Sequence, residues 1–288
     1  MSKNILVTGC NGQLGSEFKN LEHKYPEFKF FFKDLDLDIS NKQGLDDFIS
    51  CQKIHIILNT AAYTNVNNAE IEKEKADLIN TFAVKNLVEL SEKYNCKLIH
   101  FSTDYVYCGL NKKPIEENSP KNPLNYYGVS KRNGEVFIEK STSESIIIRT
   151  SWLYSQYGNN FVNTIFNKAK NESEIHVVND QYGCPTHAKD LAISVMNILT
   201  SKLRLDFDDK IYNYSNLGST SWSGFAKKII EYSKLNCKIR EVSSSFFKST
   251  VKRPKYSITN KDKIISNFNL DIPSWENSLK TYLNSLKS

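Results

Sequence analysis

Tyr127-Gly128-Val129-Ser130-Lys131 sets a phenol and an ammonium four residues apart, on one face if the segment opens a helix. A phenol with a pKa of about 10 is a poor acid–base group at neutral pH, and a nearby cation lowers that value. Tyr127 is then a proton donor and Lys131 the group that tunes it. Upstream, Ser102-Thr103-Asp104 closes an apolar run that contains His100 and Phe101. Hydroxyls at the carboxyl end of a parallel strand project into the edge where ligands bind, so Thr103 can orient a substrate oxygen beside the phenol. A proton donor and an oxygen-orienting hydroxyl suit carbonyl reduction, in which a hydride reaches carbon as a proton reaches oxygen.

A second constellation supplies the hydride donor's site. Gly9-Cys10-Asn11-Gly12-Gln13-Leu14-Gly15 follows a strand and opens a helix. Glycines there permit a tight turn, and the free N–H groups and dipole of a helix N-terminus favour a pyrophosphate. The spacing GxxGxxG departs from the commoner GxGxxG of dinucleotide sites. Cys10 reads as a small spacer within the loop. The next strand ends in Lys33-Asp34-Leu35-Asp36-Leu37-Asp38. An acid facing the adenine ribose favours NAD and a cation favours NADP, and one residue of register decides between them. Both NADPH and NADH stay open.

The elements that must position these groups alternate. Apolar strands are expected at 5–8, 28–32, 56–59, 97–102 and 145–150, with helices at about 15–25 and 68–94. The long helix would bury Ala69, Ala76, Ile79, Ala83, Leu87 and Leu90. Near-continuous apolar strands separated by helices indicate a parallel sheet covered on both faces. Beyond Thr150 the pattern loosens: helices at 159–170, 191–200 and 223–234, a strand at 211–215, and a last helical face of Trp275, Leu279, Tyr282 and Leu286. The fold class is α/β, a Rossmann-type doubly wound parallel sheet with a smaller, partly interleaved α/β substrate lobe. We expect a dinucleotide-binding domain at 1–150 and the lobe at 151–288, with segments near 176–200 and 211–216 packing back on the first domain.

Composition narrows the class of function. The 288 residues are 40% hydrophobic, and 11 Gly and 7 Pro exclude a fibrous or low-complexity chain. The net charge of +6 carries no dense basic tract interleaved with aromatics, so no nucleic-acid partner is expected. No apolar run approaches the roughly 18 residues needed to span a bilayer, and the chain enters a strand at once, leaving no room for a signal peptide. Six cysteines without a CxxC pair fit reduced thiols in the cytoplasm. The five histidines show no metal spacing, and no metal is expected; His100 reads as a packed strand residue. There is no GxSxG elbow, HExxH or P-loop.

Taken together, these residues resemble the extended short-chain dehydrogenase/reductase superfamily and, within it, the dTDP-4-dehydrorhamnose reductases. The likeness runs through Gly12-Gln13-Leu14-Gly15, Asn59-Thr60-Ala61-Ala62-Tyr63-Thr64, Ser102-Thr103-Asp104-Tyr105-Val106-Tyr107 and Pro123-Leu124-Asn125. It continues in Arg149-Thr150-Ser151-Trp152-Leu153-Tyr154, Gly158-Asn159-Asn160-Phe161, the segment from Val178 to Thr186, and Arg253-Pro254. The resemblance implies that Gly9, Gly12, Gln13, Leu14 and Gly15 hold the cofactor phosphates, that Asp38 and Ile39 lie by the adenine, and that Ala61, Ala62 and Tyr63 line the cofactor. It implies Tyr127 as proton donor, Lys131 on the nicotinamide ribose, Thr103 and Asp104 at the sugar ring, Trp152 at the substrate, and Arg253 on the nucleotide-sugar pyrophosphate. The implied reaction reduces the C4 ketone of a dTDP-linked 4-keto-6-deoxysugar for envelope polysaccharide such as lipopolysaccharide O-antigen, with a homodimer as a possible assembly. A reductase or epimerase for another nucleotide-linked deoxysugar, or a non-catalytic cofactor-binding subunit, are the rival readings. Tyr105 stands where dehydratases of the superfamily carry an acid, which disfavours dehydration. Asn67 replaces a common acid and Tyr107 a common Phe, neither at a catalytic position. The tail lacks the acids through which some members hold magnesium.

Overall fold

The computed structural model describes residues 2–110, 112–201 and 210–286. Its centre is a six-stranded, all-parallel sheet. Five strands come from the first half: β1 (Lys3–Thr8), β2 (Phe28–Lys33), β3 (Ile56–Asn59), β4 (Lys97–Thr103) and β5 (Ser145–Thr150). The sixth, Ile211–Asn213, pairs with β5, and the order across the sheet is Ile211–Asn213, β5, β4, β3, β1, β2. The chain leaves β1 to one side for β2 and returns to the other for β3, so a crevice opens at the carboxyl ends of β1 and β3.

Alternation along each strand feeds two cores. Ile5, Val7, Ile56, Leu58, Ile99, Ile146 and Ile148 meet α1 (Gln13–Leu21) through Phe18 and Leu21, and the helix Ala188–Thr200 through Leu191, Val195 and Met196. Leu6, Ile57, Leu98 and Ile147 face the opposite way, onto α2 (Lys42–Cys51), a helix over 73–94, and α5 (Tyr126–Lys140). Helices therefore cover both faces. The helix Ala188–Thr200 and the strand Ile211–Asn213, both beyond residue 150, complete the first sheet. The strand Glu174–Val178 instead pairs with Lys238–Val242 in the second lobe, with the helices Phe161–Ala169, Trp222–Ser233 and Trp275–Ser285 packed around it.

The structure revises several expected elements. The segment 68–94 is not one continuous helix: Asn68–Glu70 is a 3-10 turn, and the helix runs as α3 (Lys73–Asp77), a π turn at Leu78–Phe82, and α4 (Ala83–Tyr94). The π turn has a cause, because it aims Asn80 at the Tyr63 backbone, accepting from its N–H at 2.9 Å and donating to its carbonyl at 3.0 Å. Leu286 lies beyond the last helix and is 38% exposed, so that helical face ends at Leu283. α2 escaped the periodicity reading although Asn41 caps it, accepting from Gly44 N–H at 3.1 Å.

Candidate active site

A cleft of about 750 Å³ opens at the crevice between the ends of β1 and β3. Gly9, Gly12, Gln13, Leu14, Asp38, Ile39, Ala61, Ala62, Tyr63, Thr103, Asp104, Tyr127, Lys131 and Trp152 all line it. The loop from β1 to α1 forms one end. Gly9 has φ +63°, and a Cβ there would stand 2.5 Å from the Ala61 Cα, so only glycine lets the two strand ends approach this closely. α1 starts without a side-chain cap and with no acid in its first turn, whereas Asn41 caps α2 and Asn125 caps α5. Its free N–H groups fit a pyrophosphate. Gly15 is outside the cleft lining and buried in the first turn of α1. The Gln13 side chain reaches across to the second lobe, accepting from Asn160 Nδ2 at 3.0 Å. Cys10 is buried in the core beneath the loop.

At the end of β2 the acid and not the lysine lines the cleft. Asp34 lines the cleft and accepts from the Asn11 backbone N–H at 2.8 Å. Lys33 is turned aside, paired with Asp36 at 2.6 Å. Asp38 is held by the Ser40 N–H and hydroxyl, each at 2.8 Å.

The reacting end is built by α5 lying across the end of β4. Asn125 starts α5 by accepting from Gly128 N–H at 2.9 Å, and Ser130, the fifth residue of α5, accepts from Asn80 at 3.0 Å. The Tyr127 ring stands edge-on to Tyr105, with centroids 5.8 Å apart. Burial pushes the Tyr127 phenol up to about 12; the Thr103 hydroxyl pulls it down and Asp104 pushes it up. Thr103 Oγ1 lies 3.1 Å from Asp104 Oδ1, and Asp104 Oδ2 is buried without a partner. Burial lifts the Asp104 carboxyl to about 6. Lys131 is 1% exposed and donates to the Phe101 carbonyl at 2.7 Å, and burial lowers its ammonium to about 8. The Tyr127 phenol, the Thr103 hydroxyl and the Lys131 amine thus line the same cleft.

Two stacked tryptophans line the same cleft. Trp152 takes φ +47°, an uncommon backbone for a non-glycine residue, and its ring lies 3.5 Å from that of Trp222 at 9°. Trp222 went unnoticed in the sequence because it stands on the first turn of a lobe helix, far from any motif. Arg253 does not line this cleft but an adjoining groove of about 1740 Å³, and Tyr105 and Trp222 line both. Asn67, which seemed a neutral replacement, accepts from Arg253 Nη2 at 2.7 Å. Tyr107 likewise has a partner: its hydroxyl accepts from Arg149 at 2.6 Å, and Arg149 pairs with the fully buried Glu135 at 2.6 Å. Among the described residues no group of three or more His, Cys, Asp or Glu could hold a metal ion.

This constellation has clear relatives. The family described as the RmlD substrate binding domain matches residues 3–288. The chain belongs to that family. It is 33% identical to a dTDP-4-dehydrorhamnose reductase of Escherichia coli, over 98% of each chain. It is 35% identical to the spore coat polysaccharide biosynthesis protein SpsK of Bacillus subtilis, covering 99% of this chain and 98% of that one. A crystal structure of dTDP-4-dehydrorhamnose reductase from Bacillus anthracis in complex with NADP superposes with a TM-score of 0.93 at 37% identity, covering 99% of this chain and 100% of that one.

Proposed function

We propose that this protein is an NAD(P)H-dependent reductase of the C4 ketone of dTDP-4-dehydro-L-rhamnose, yielding dTDP-L-rhamnose. One observation carries the reading: Tyr127, Lys131 and Thr103 converge at one end of a cleft whose other end is the uncapped, glycine-lined N-terminus of α1. The reduced nicotinamide coenzyme, when bound, supplies the hydride. Gly9, Gly12, Gln13 and Leu14 hold its phosphates, Asp38 and Ile39 flank the adenine, and Ala61, Ala62 and Tyr63 line its path. Thr103 orients the ketone oxygen and Tyr127 donates the proton to it. Lys131 holds the nicotinamide ribose and steadies the phenolate left behind. Asp104 and Trp152 meet the sugar ring, and Arg253 offers a planar fork to the pyrophosphate.

The reading places the enzyme in the cytoplasm as a possible homodimer, supplying sugar for envelope polysaccharide and binding no nucleic acid. Among the described residues no helix is long and apolar enough to cross a membrane. Both Tyr127 and Lys131 are in place, which disfavours a non-catalytic subunit. The test is coenzyme oxidation with dTDP-4-dehydro-L-rhamnose formed in the cuvette and the product identified by NMR. Tyr127→Phe should lower kcat by about 10²–10⁴-fold and leave nucleotide-sugar affinity, measured by calorimetry, nearly unchanged. Loss of binding in that variant would remove the assigned role, and a product epimeric at C4 would move the enzyme to another deoxysugar.

A further inference from the structure

Behind Lys131 lies a row of polar side chains that the reaction above does not use. Thr8, Asn59 and His100 are register partners on β1, β3 and β4, so their side chains stand abreast on the face covered by α5. All three are at most 1% exposed. Lys131 Nζ lies 3.3 Å from His100 Nε2, the Asn59 amide nitrogen lies 2.9 Å from His100 Nδ1, and the Thr8 hydroxyl donates to the Asn59 carbonyl oxygen at 2.7 Å.

A neutral imidazole has one N–H and one lone pair, and burial together with Lys131 keeps His100 from charging. With the Asn59 amide as placed, the contacts run one way. Thr8 donates to the Asn59 oxygen, so the Asn59 nitrogen donates to Nδ1, and this requires the imidazole proton on Nε2, facing Lys131. That direction suits a neutral amine, whose lone pair accepts the proton. An ammonium at the same place would set two donors against each other. The row then runs the other way: Lys131 donates to Nε2, Nδ1–H donates to the Asn59 carbonyl, and the turned amide donates to Thr8.

We propose that His100 and Asn59 are positioning residues acting through Lys131, forming a buried row whose direction reverses when Lys131 gains or loses its proton. The inference rests on the Tyr127–Lys131 pair being the reacting pair. The other ionisable groups facing the row are Tyr127 and Glu135 on α5, Asp104 just beyond β4, and Arg149 on β5 through its pair with Glu135. Removing the imidazole takes an acceptor from a buried ammonium, which lowers the pH at which the Tyr127–Lys131 pair loses its proton.

The experiment is 15N NMR of histidine-labelled, coenzyme-free protein from about pH 6 to about pH 10, with the His100 signals assigned by their loss in His100→Gln. The expected result is the Nδ1–H tautomer at the acid end, replaced by Nε2–H as Lys131 deprotonates, and a single tautomer throughout in Lys131→Met. In turnover, His100→Leu should move the alkaline limb of kcat down by about one pH unit, with KM for the nucleotide sugar little changed, and His100→Gln should restore it part-way. One unchanging His100 tautomer in the unmutated protein overturns the proposal. So does an unmoved limb in His100→Leu with only a lowered Tm. If the unmutated protein reduces no 4-ketosugar, the function falls, while the tautomer result still decides the row.

Discussion

Asp34, not Lys33, is the side chain at the end of β2 that lines the cleft. Its Oδ2 is fixed by the Asn11 N–H at 2.8 Å, and Lys33 is occupied by Asp36. A carboxylate in that place accepts from a ribose hydroxyl and repels a 2′-phosphate. Asp34→Ala should therefore shift the ratio of kcat/KM for NADPH over NADH by about tenfold or more toward NADPH, equivalent to about 1.4 kcal/mol. An unchanged ratio would mean that the ribose is read elsewhere. The proposed reacting residues were legible in the sequence because each obeys a local rule: four residues of helix join Tyr127 to Lys131, and Thr103 ends a strand. The partners of Lys131 were not. His100 looks like core in one dimension, and it is core, yet strand register sets it beside Asn59 and within reach of Lys131.

Among the elements, the short strand Tyr182–Gly183 packs against the Trp152 ring. A Cβ on Gly183 would stand 2.5 Å from Trp152 Cε2 and 2.7 Å from its Nε1, too close to a ring already stacked on Trp222. Gly183→Ala should push the stack apart at a cost of about 1–3 kcal/mol. It should weaken nucleotide-sugar affinity while coenzyme affinity stays put, with the near-UV circular dichroism of the tryptophans reduced. Equal loss of both ligands would point to general unfolding instead. Strands of the sheet were readable from runs such as Ile146-Ile147-Ile148, since burial on both faces leaves no polar position. The π turn at Leu78–Phe82 was not, because it answers to a hydrogen bond from a distant loop and not to any periodicity in the helix itself.

At the scale of the molecule, the first sheet is finished by the second half of the chain. Leu191, Val195, Met196 and Ile198 are at most 1% exposed against Ile5, Val7, Ile146 and Ile148, each burial contributing about 1.5–3 kcal/mol. A fragment of residues 1–150 should therefore bind a hydrophobic dye and unfold without a cooperative transition, and a sharp transition with no dye binding would show that the helix Ala188–Thr200 is dispensable. By itself the sequence determined the alternation of strands and helices, the glycine loop, the Tyr127–Lys131 pair and the strand-end Thr103. Each of these depends on neighbours a few residues away, through helical repeat, strand pleat or turn geometry. Only the tertiary structure decided that Asp34 and not Lys33 lines the cleft, that Trp222 stacks on Trp152, that Asn67 meets Arg253, and that Thr8, Asn59 and His100 align behind Lys131. Those contacts join residues tens to hundreds of positions apart, and strand order and register, which no local pattern encodes, are what bring them together.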